Sequence, residues 1–491
     1  MNPTTRRNTV HAGPDDPSLT PHAGLVLVGE LVHNSGLLEQ LDTATEAVRP
    51  FKQRRRGLSG GELLVSVAES ILIGGDHLVH LDELRWDQAG ASLRAVAEPP
   101  APTTAGQLLP RFDQRQCRAA VGAMAEAGNH FDRHLGLPVE APVTLDLDST
   151  PTEVYGHQEL AEFNYEGKRN CGSLLATWAQ RRRLLAADLR RGAASDKPAA
   201  AGILTRALQT LPPGHGPVSL RADSGFYCGE LIETARRKEV SFSISVPRNA
   251  AMWEARRHTG PNSWHPALGM EAEIAEVPYR PGFWKQEPLR LIIRRVRIPA
   301  SELSQNPRNR RRRTVAKGQL RLALADRREY VYGYSFMLTD RSGDAAEIEL
   351  EHRQRAQIEE RIKDVKLGCA LRHLPMRSAR GNRAWQTAAV LATNLASMLS
   401  TQAATVNHEA LVEQAAQAED EADLVRPAHH QGGKVARHNS GLLRRWLIDI
   451  PARLIKGGRQ LRLRFSRGMT WKSTFWATYS RLRLLSPPLP A

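Results

Sequence analysis

Three acidic residues in this chain have the setting that carboxylates need to hold divalent cations. Asp148 closes the apolar strand read in VTLDLDS and is followed by Ser-Thr-Pro, and Asp223 closes VSLRAD ahead of the turn residues SGFY. A carboxylate at the end of an apolar strand is costly to bury unless a cation compensates it. The third acid is Glu359, within EHRQRAQIEERIKDVK. At about 100° per residue, His352, Arg355, Glu359 and Lys366 fall within an arc of roughly 60° on one helix. Ile358, Ile362 and Val365 form the apolar stripe beside them. Such a set suits in-line attack at a phosphodiester, which two ions about 3.5–4 Å apart serve well. Hard oxygen ligands suit Mg²⁺. One ion would activate a water or a 3′-hydroxyl, and the other would stabilise the leaving oxygen. Arg355 and Lys366, each near the acid on the helix, could hold a phosphate. Plainer readings stand beside this one. A strand-end aspartate is commonly a turn or capping residue, and a charged helix face is commonly a solvated one. Asp146 shares a face with Asp148 and competes with it.

The elements that would position these residues can be traced along the chain. Residues 1–20 are polar and read as a disordered leader. From 21 to 140 the apolar spacing is helical, and Ser59 with Glu62 has the form of a capping box. The prolines of AVAEPPAPTTAGQLLPRF interrupt it, which is compatible with a helix-turn-helix or with plain helix packing. At Val143 the period changes to two. Strands are expected at 143–148, 173–178, 184–189, 217–222 and 240–246, with helices near 196–210 and 228–238. That is a mixed α/β layer over 141–246. Residues 247–330 break the rhythm with three tryptophans, several prolines and the run NRRRR. They read as a β-rich insertion, with strands at 289–298 and 320–326. The α/β layer resumes over 331–410 with an unbroken helix at 343–366 and a buried helix at 380–400. Residues 411–433 read as an acidic linker. Residues 434–491 read as a basic region, with thirteen Lys/Arg against one acid and a hairpin centred on Gly457-Gly458.

The chain has 491 residues, enough for several domains, and a formal net charge of +16 with a pI near 10.1. A polyanionic partner is the simplest account of that charge; an arginine-rich coding bias is the other. No uninterrupted apolar run of spanning length and no secretory signal is present, so a cytoplasmic protein without a membrane span is expected. Cys117, Cys171, Cys228 and Cys369 are too scattered for a metal knuckle or a disulfide framework.

The segments LDLDSTPTEVYGHQ, RADSGFY and HRQRAQIEERIKDVK together resemble the DDE transposases of bacterial insertion sequences. The resemblance is closest to the insertion-sequence 1380 family, within the group related to insertion sequence 4. That group carries a Tyr-x2-Arg-x3-Glu-x6-Lys signature. His352, Arg355, Glu359 and Lys366 occupy its spacing, with His352 in place of the tyrosine. The resemblance implies an RNase H-like catalytic domain interrupted by the insertion. It also implies an N-terminal helical region that binds DNA ends; the basic region 434–491, read from its charge, would add non-specific phosphate contacts. Asp148, Asp223 and Glu359 would be the catalytic, metal-binding acids, with two Mg²⁺ ions or Mn²⁺ as substitute. The family pattern picks Asp148 over Asp146. The DNA-contacting residues would be His352, Arg355, Lys366, Arg310, Arg311 and two tryptophans of the insertion, Trp264 and Trp284, which could stack a base or be ordinary core. The implied partners are double-stranded DNA, as terminal inverted repeats and target, and a second copy of the chain when DNA is bound. The place of action would be the cytoplasm, at the nucleoid. The rival readings are an RNase H-like nuclease without transfer activity and an inactive DNA-binding relative.

Overall fold

A computed structural model describes residues 15–53, 56–164, 167–306, 309–325, 327–417 and 439–488, with backbone alone for 356–361 and 411–417. Most of the expected leader (1–14) and much of the expected linker (418–433) therefore lie outside the described residues.

The N-terminal region is helical. Leu25–Asn34 (α1), Leu37–Val48 (α2), Gly60–Leu72 (α3) and Gln114–His134 (α4) bury their apolar stripes in one cluster. The Ser59–Glu62 capping box forms, with Glu62 N donating to Ser59 Oγ at 3.0 Å and Ser59 N to Glu62 Oε2 at 2.6 Å. Two otherwise orphaned donors are thereby satisfied at the start of α3.

The sheet begins with Val143–Glu153 (β1), Arg169–Trp178 (β2) and Arg183–Arg191 (β3), which pair antiparallel in the order β3-β2-β1. Helix Lys197–Gln209 (α5) leads to Val218–Ala222 (β4), and Gly229–Arg237 (α6) to Ser241–Ser245 (β5). β4 lies parallel to β1, and β5 parallel to β4. Alternation decides the faces. Val143, Leu145 and Leu147 of β1 join Val218, Leu220 and Ala222 of β4 in the core beneath the sheet. Asp146, Asp148 and Arg221 take the opposite face. Asp148 was expected to close its strand, but β1 continues to Glu153. It pairs with β2 as far as Glu153↔Asn170, whereas β4 leaves it after Leu147↔Ala222.

In the insertion, Glu273–Tyr279 (β6), Leu289–Pro299 (β7) and Tyr330–Thr339 (β8) form an antiparallel meander, and β8 joins it to β5. The strand expected at 320–326 is instead a helix, Lys317–Leu324. Six alternating residues cannot decide between the two periods. Here Leu320 and Ala323, three apart, pack on Ile298 and Val331, while Leu322 stays exposed. The arginine run likewise forms one helical turn, Arg310–Arg313, capped by Asn309.

The helix expected without interruption over 343–366 is two: Ala345–Arg353 (α7) and Ala356–Gly368 (α8). The cause is visible in the backbone. Arg221 Nη1 donates to Glu351 O at 2.6 Å, and Arg355 N bonds to His352 O instead. Helix Ala379–Gln417 (α9) runs through the expected buried helix and seven residues into the expected linker. Its buried Asn394 satisfies the backbone of β3 at Leu184, accepting at 2.8 Å and donating at 2.9 Å.

The basic C-terminal region is not a detached tail. Ala452–Gly457 (β9) and Gln460–Phe465 (β10) form the hairpin, and β9 also pairs with Leu19–Thr20. Its turn residues, Gly458 and Arg459, both have positive φ, near 57° and 60°, as a two-residue turn of this hand requires. Helix Lys472–Leu482 (α10) packs on α1 and α9. The N- and C-terminal regions thus share one core.

Candidate active site

Asp148 and Asp223 each stand one residue past the last paired position of β1 and β4, Leu147↔Ala222. Asp146 is paired with Arg221 across β1 and β4; two residues on from each are Asp148, still in β1, and Asp223, just past the end of β4. Asp223 remains extended, with φ −83° and ψ −177°, so the pleat carries through to it. Two carboxylates on facing positions of adjacent strands repel unless a cation lies near. Asp146 has its own cation: Arg221 donates from Nε at 2.7 Å and Nη2 at 2.8 Å in a buried two-point pair. Asp148 accepts from Ser149 N at 2.8 Å, and Arg355 Nη2 stands 3.3 Å from its Oδ1. Asp223 accepts from Gly225 N at 2.8 Å, capping the turn that follows β4.

Helix α8 lies against β1 and is anchored at both ends of a short stretch of it. Arg355 reaches Leu147 O at 3.4 Å, and Lys366 Nζ donates to Pro151 O at 2.7 Å. Burial lowers the Lys366 ammonium pKa, and the nearby Asp148 opposes that shift. Glu359 lies on α8 between these anchors, one turn from Arg355; its side chain is outside the described residues. Arg355 Nε is buried with no partner among the described residues.

His352 is placed differently from expectation. Its Nδ1 lies 2.9 Å from Ser243 Oγ and its Nε2 3.0 Å from Ser245 Oγ, both on β5. Burial and the neighbouring Arg355, Arg221 and Arg294 push its pKa down to about 3. A neutral imidazole has one donor and one acceptor, and both are engaged within the protein. It pins α7 to β5 and has no nitrogen left to reach a phosphate.

The tryptophans divide. Trp284 is 3% exposed, and its Nε1 donates to Glu287 O at 2.9 Å. It is a core residue and presents no face to a base. Trp264 is half-buried, with the Arg295 guanidinium 4.0 Å from its ring centroid. Arg310 and Arg311 are exposed, and Arg311 pairs with Glu302.

Two features had no clear signal in the sequence. Asp196 precedes Lys-Pro at the start of α5 and reads as a cap, yet it makes no capping bond. It accepts from Ser149 Oγ at 2.8 Å and pairs with Arg190. A Cβ at Gly225 would lie 3.0 Å from Asp223 Oδ1 and 3.2 Å from Asp196 Oδ2, so both carboxylates close over that glycine. The second feature is a cavity of about 970 Å³ in the insertion, lined by Arg248, Arg256, Arg257, Arg312, Arg313 and Lys317 around Trp253. Only the fold joins residues 248–257 to 312–317. Burial and the charges of Arg310 and Arg294 depress the Arg248 pKa.

The family model described as transposase DDE domain group 1 matches residues 2–487. A search of curated proteins returns no match. Among solved structures, the cryo-EM structure of piggyBac transposase synaptic complex with hairpin DNA is 10% identical. That match covers 80% of this chain and 77% of the other, with a TM-score of 0.39.

Proposed function

The chain belongs to the transposase DDE domain group 1 family, and from that premise we propose that it cuts DNA at the terminal inverted repeats of an insertion sequence and joins the freed ends to target DNA. Within the family we place it with the insertion-sequence 1380 group, on the spacing from His352 to Lys366. The observation that carries the reading is the register of β1 and β4, which pairs Asp146 with Arg221 and ends at Leu147↔Ala222; carried one step further it would put Asp148 opposite Asp223. The strand order β3-β2-β1-β4-β5, with three antiparallel strands and then two parallel to β1, supports an RNase H-like core.

DDE transposases work with divalent metal ions, and the donor set here fits Mg²⁺. It would consist of hard carboxylate oxygens, from Asp148 on β1, from Asp223 just past the end of β4, and from Glu359 on the helix that lies against β1. Bound Mg²⁺, or Mn²⁺ in its place, supplies activation of the attacking oxygen and stabilisation of the leaving one. The protein's part is placement. Arg355 and Lys366 flank Glu359 and hold phosphates beside the carboxylates. The Arg221–Asp146 pair keeps Asp146 out of the donor set and fixes the break between α7 and α8. The arginine-lined cavity, with Arg310 and Arg311 at its side, and the exposed cations of the β9–β10 hairpin grip the DNA backbone. The N-terminal helices read the ends, and two copies pair two ends before cutting. Trp264 is the remaining candidate to stack a displaced base. No helix among the described residues is long and apolar enough to cross a membrane. The proposed place of action is the nucleoid, in the cytoplasm.

The test is a joining assay with a labelled 3′-end and a target plasmid. Joined product in Mg²⁺, lost in Glu359→Gln with end binding intact, is the expected result. Cleavage without joining would make the chain a nuclease instead.

A further inference from the structure

Away from the carboxylates, three potential ligands meet at the turn after α3. Asp76, His77 and His80 offer ligand atoms that all lie within 4.8 Å of one another. Asp76 Oδ1 stands 2.6 Å from His77 Nδ1 and 3.5 Å from His80 Nδ1. His80 Nδ1 accepts from the backbone N–H of Asp76 at 3.0 Å and of His77 at 3.3 Å, so it is the unprotonated nitrogen. The backbone is shaped for this cluster by Gly74, whose φ of +110° is a conformation other residues rarely adopt. From across the chain, His373 lays its ring on His77 with centroids 3.9 Å apart, and Arg372 Nη2 lies 3.2 Å from Asp76 Oδ2.

We propose that Asp76, His77 and His80 form a structural site for a zinc-class divalent ion, with water completing its shell, separate from the Asp148–Asp223 pair. Two imidazoles with one carboxylate suit Zn²⁺ and its neighbours rather than Mg²⁺. The ion would replace the contacts between Asp76 and the two imidazoles, and the two backbone donors at His80 Nδ1.

The site's position gives it a purpose. Residues 369–378 follow directly from α8, the helix that carries Glu359 and Lys366. A metal that rigidifies the 76–80 turn would firm the seat on which His373 stacks and Arg372 pairs, and so tie the end of α8 to α3. The same junction is already tied elsewhere: Arg444 Nη2 donates to Ile71 O at 3.0 Å and to Gly368 O at 2.6 Å. The metal would therefore act at a distance from the chemistry, by holding α8 in place.

The test uses the full chain with Asp148→Asn and Asp223→Asn, so that the carboxylate pair no longer takes up ions. Titration with Zn²⁺ against a chromophoric chelator should show one tightly held ion per chain, lost on adding His77→Gln and His80→Gln. Zinc-edge X-ray absorption on the loaded chain, with the cluster unsubstituted, should show at least two imidazoles, which keeps the test independent of how the histidine variants fold. No tightly held ion, an unchanged ion count in the histidine variants, or an all-oxygen shell would overturn the proposal.

Discussion

Asp146 and Arg221 face each other across β1 and β4 in a buried two-point ion pair at 2.7 and 2.8 Å. Two residues further along come Asp148, still in β1, and Asp223, just past the end of β4. Neighbouring aspartates on one strand thus have different settings. Asp146 is held in a two-point pair by Arg221, whereas Asp148 has a longer contact, Arg355 Nη2 at 3.3 Å, and a backbone donor, Ser149 N, at 2.8 Å.

The first prediction separates the two by stability. Asp146→Asn leaves Arg221 buried without its counter-charge, which costs roughly 3–5 kcal/mol. Asp223→Asn removes one of two like charges and should raise stability in chelator by about 0.2–1 kcal/mol. It should also abolish the stabilisation that added Mg²⁺ gives the natural chain. Urea unfolding of both variants, with and without Mg²⁺, reads each effect.

Gly225 is the second test point. Its missing side chain leaves room for Asp223 and Asp196 to converge. Gly225→Ala should displace Asp223, and a shift of ~1 Å at reacting groups costs about 100-fold in rate. Single-turnover joining should fall accordingly while end binding, measured by gel shift, stays unchanged.

Removing the Arg355 or Lys366 side chain should weaken DNA binding for every sequence alike. For each phosphate that is no longer neutralised, the slope of log K against log salt should shrink by about 0.9. A salt series with Arg355→Ala and Lys366→Ala measures this; an unchanged slope means that the substituted residue does not touch the DNA backbone.

A fourth prediction concerns acid. His352 has a pKa of about 3 in the folded chain, against an ordinary value of 6.5. Between those values the unfolded chain holds a proton that the folded chain does not, so stability falls as pH drops through that window. His352→Gln should flatten the pH dependence of unfolding over that range. A slope equal to that of the natural chain would mean His352 titrates normally.

Much of this arrangement is legible in the residues. Period two in VTLDLDS and VSLRAD marks the strands and the shared face of Asp146 and Asp148. Which aspartate pairs with an arginine is not legible, because register belongs to strand pairing, and β1 and β4 are about 75 residues apart in sequence. The period of 343–366 marks it as helical, but its break comes from Arg221 taking the Glu351 carbonyl, an interaction from 130 residues away. LRLALA is too short for its period to separate strand from helix. Asp196 is hidden because an aspartate before Lys-Pro has an ordinary explanation as a cap. The basic C-terminal region is recognisable by its charge, whereas its seat among the N-terminal helices depends on Leu447, Ile448 and Phe475 meeting a core laid down some 400 residues earlier.

The claim that Asp148 and Asp223 share a divalent ion is tested most directly by ligand exchange. Asp148→Cys and Asp223→Cys replace a hard oxygen by a softer sulfur, which disfavours Mg²⁺ and accepts Mn²⁺. Joining of labelled ends should be lost in Mg²⁺ for both variants and return in part in Mn²⁺, with end binding unchanged. Joining at the natural rate in Mg²⁺ by either variant would contradict the account.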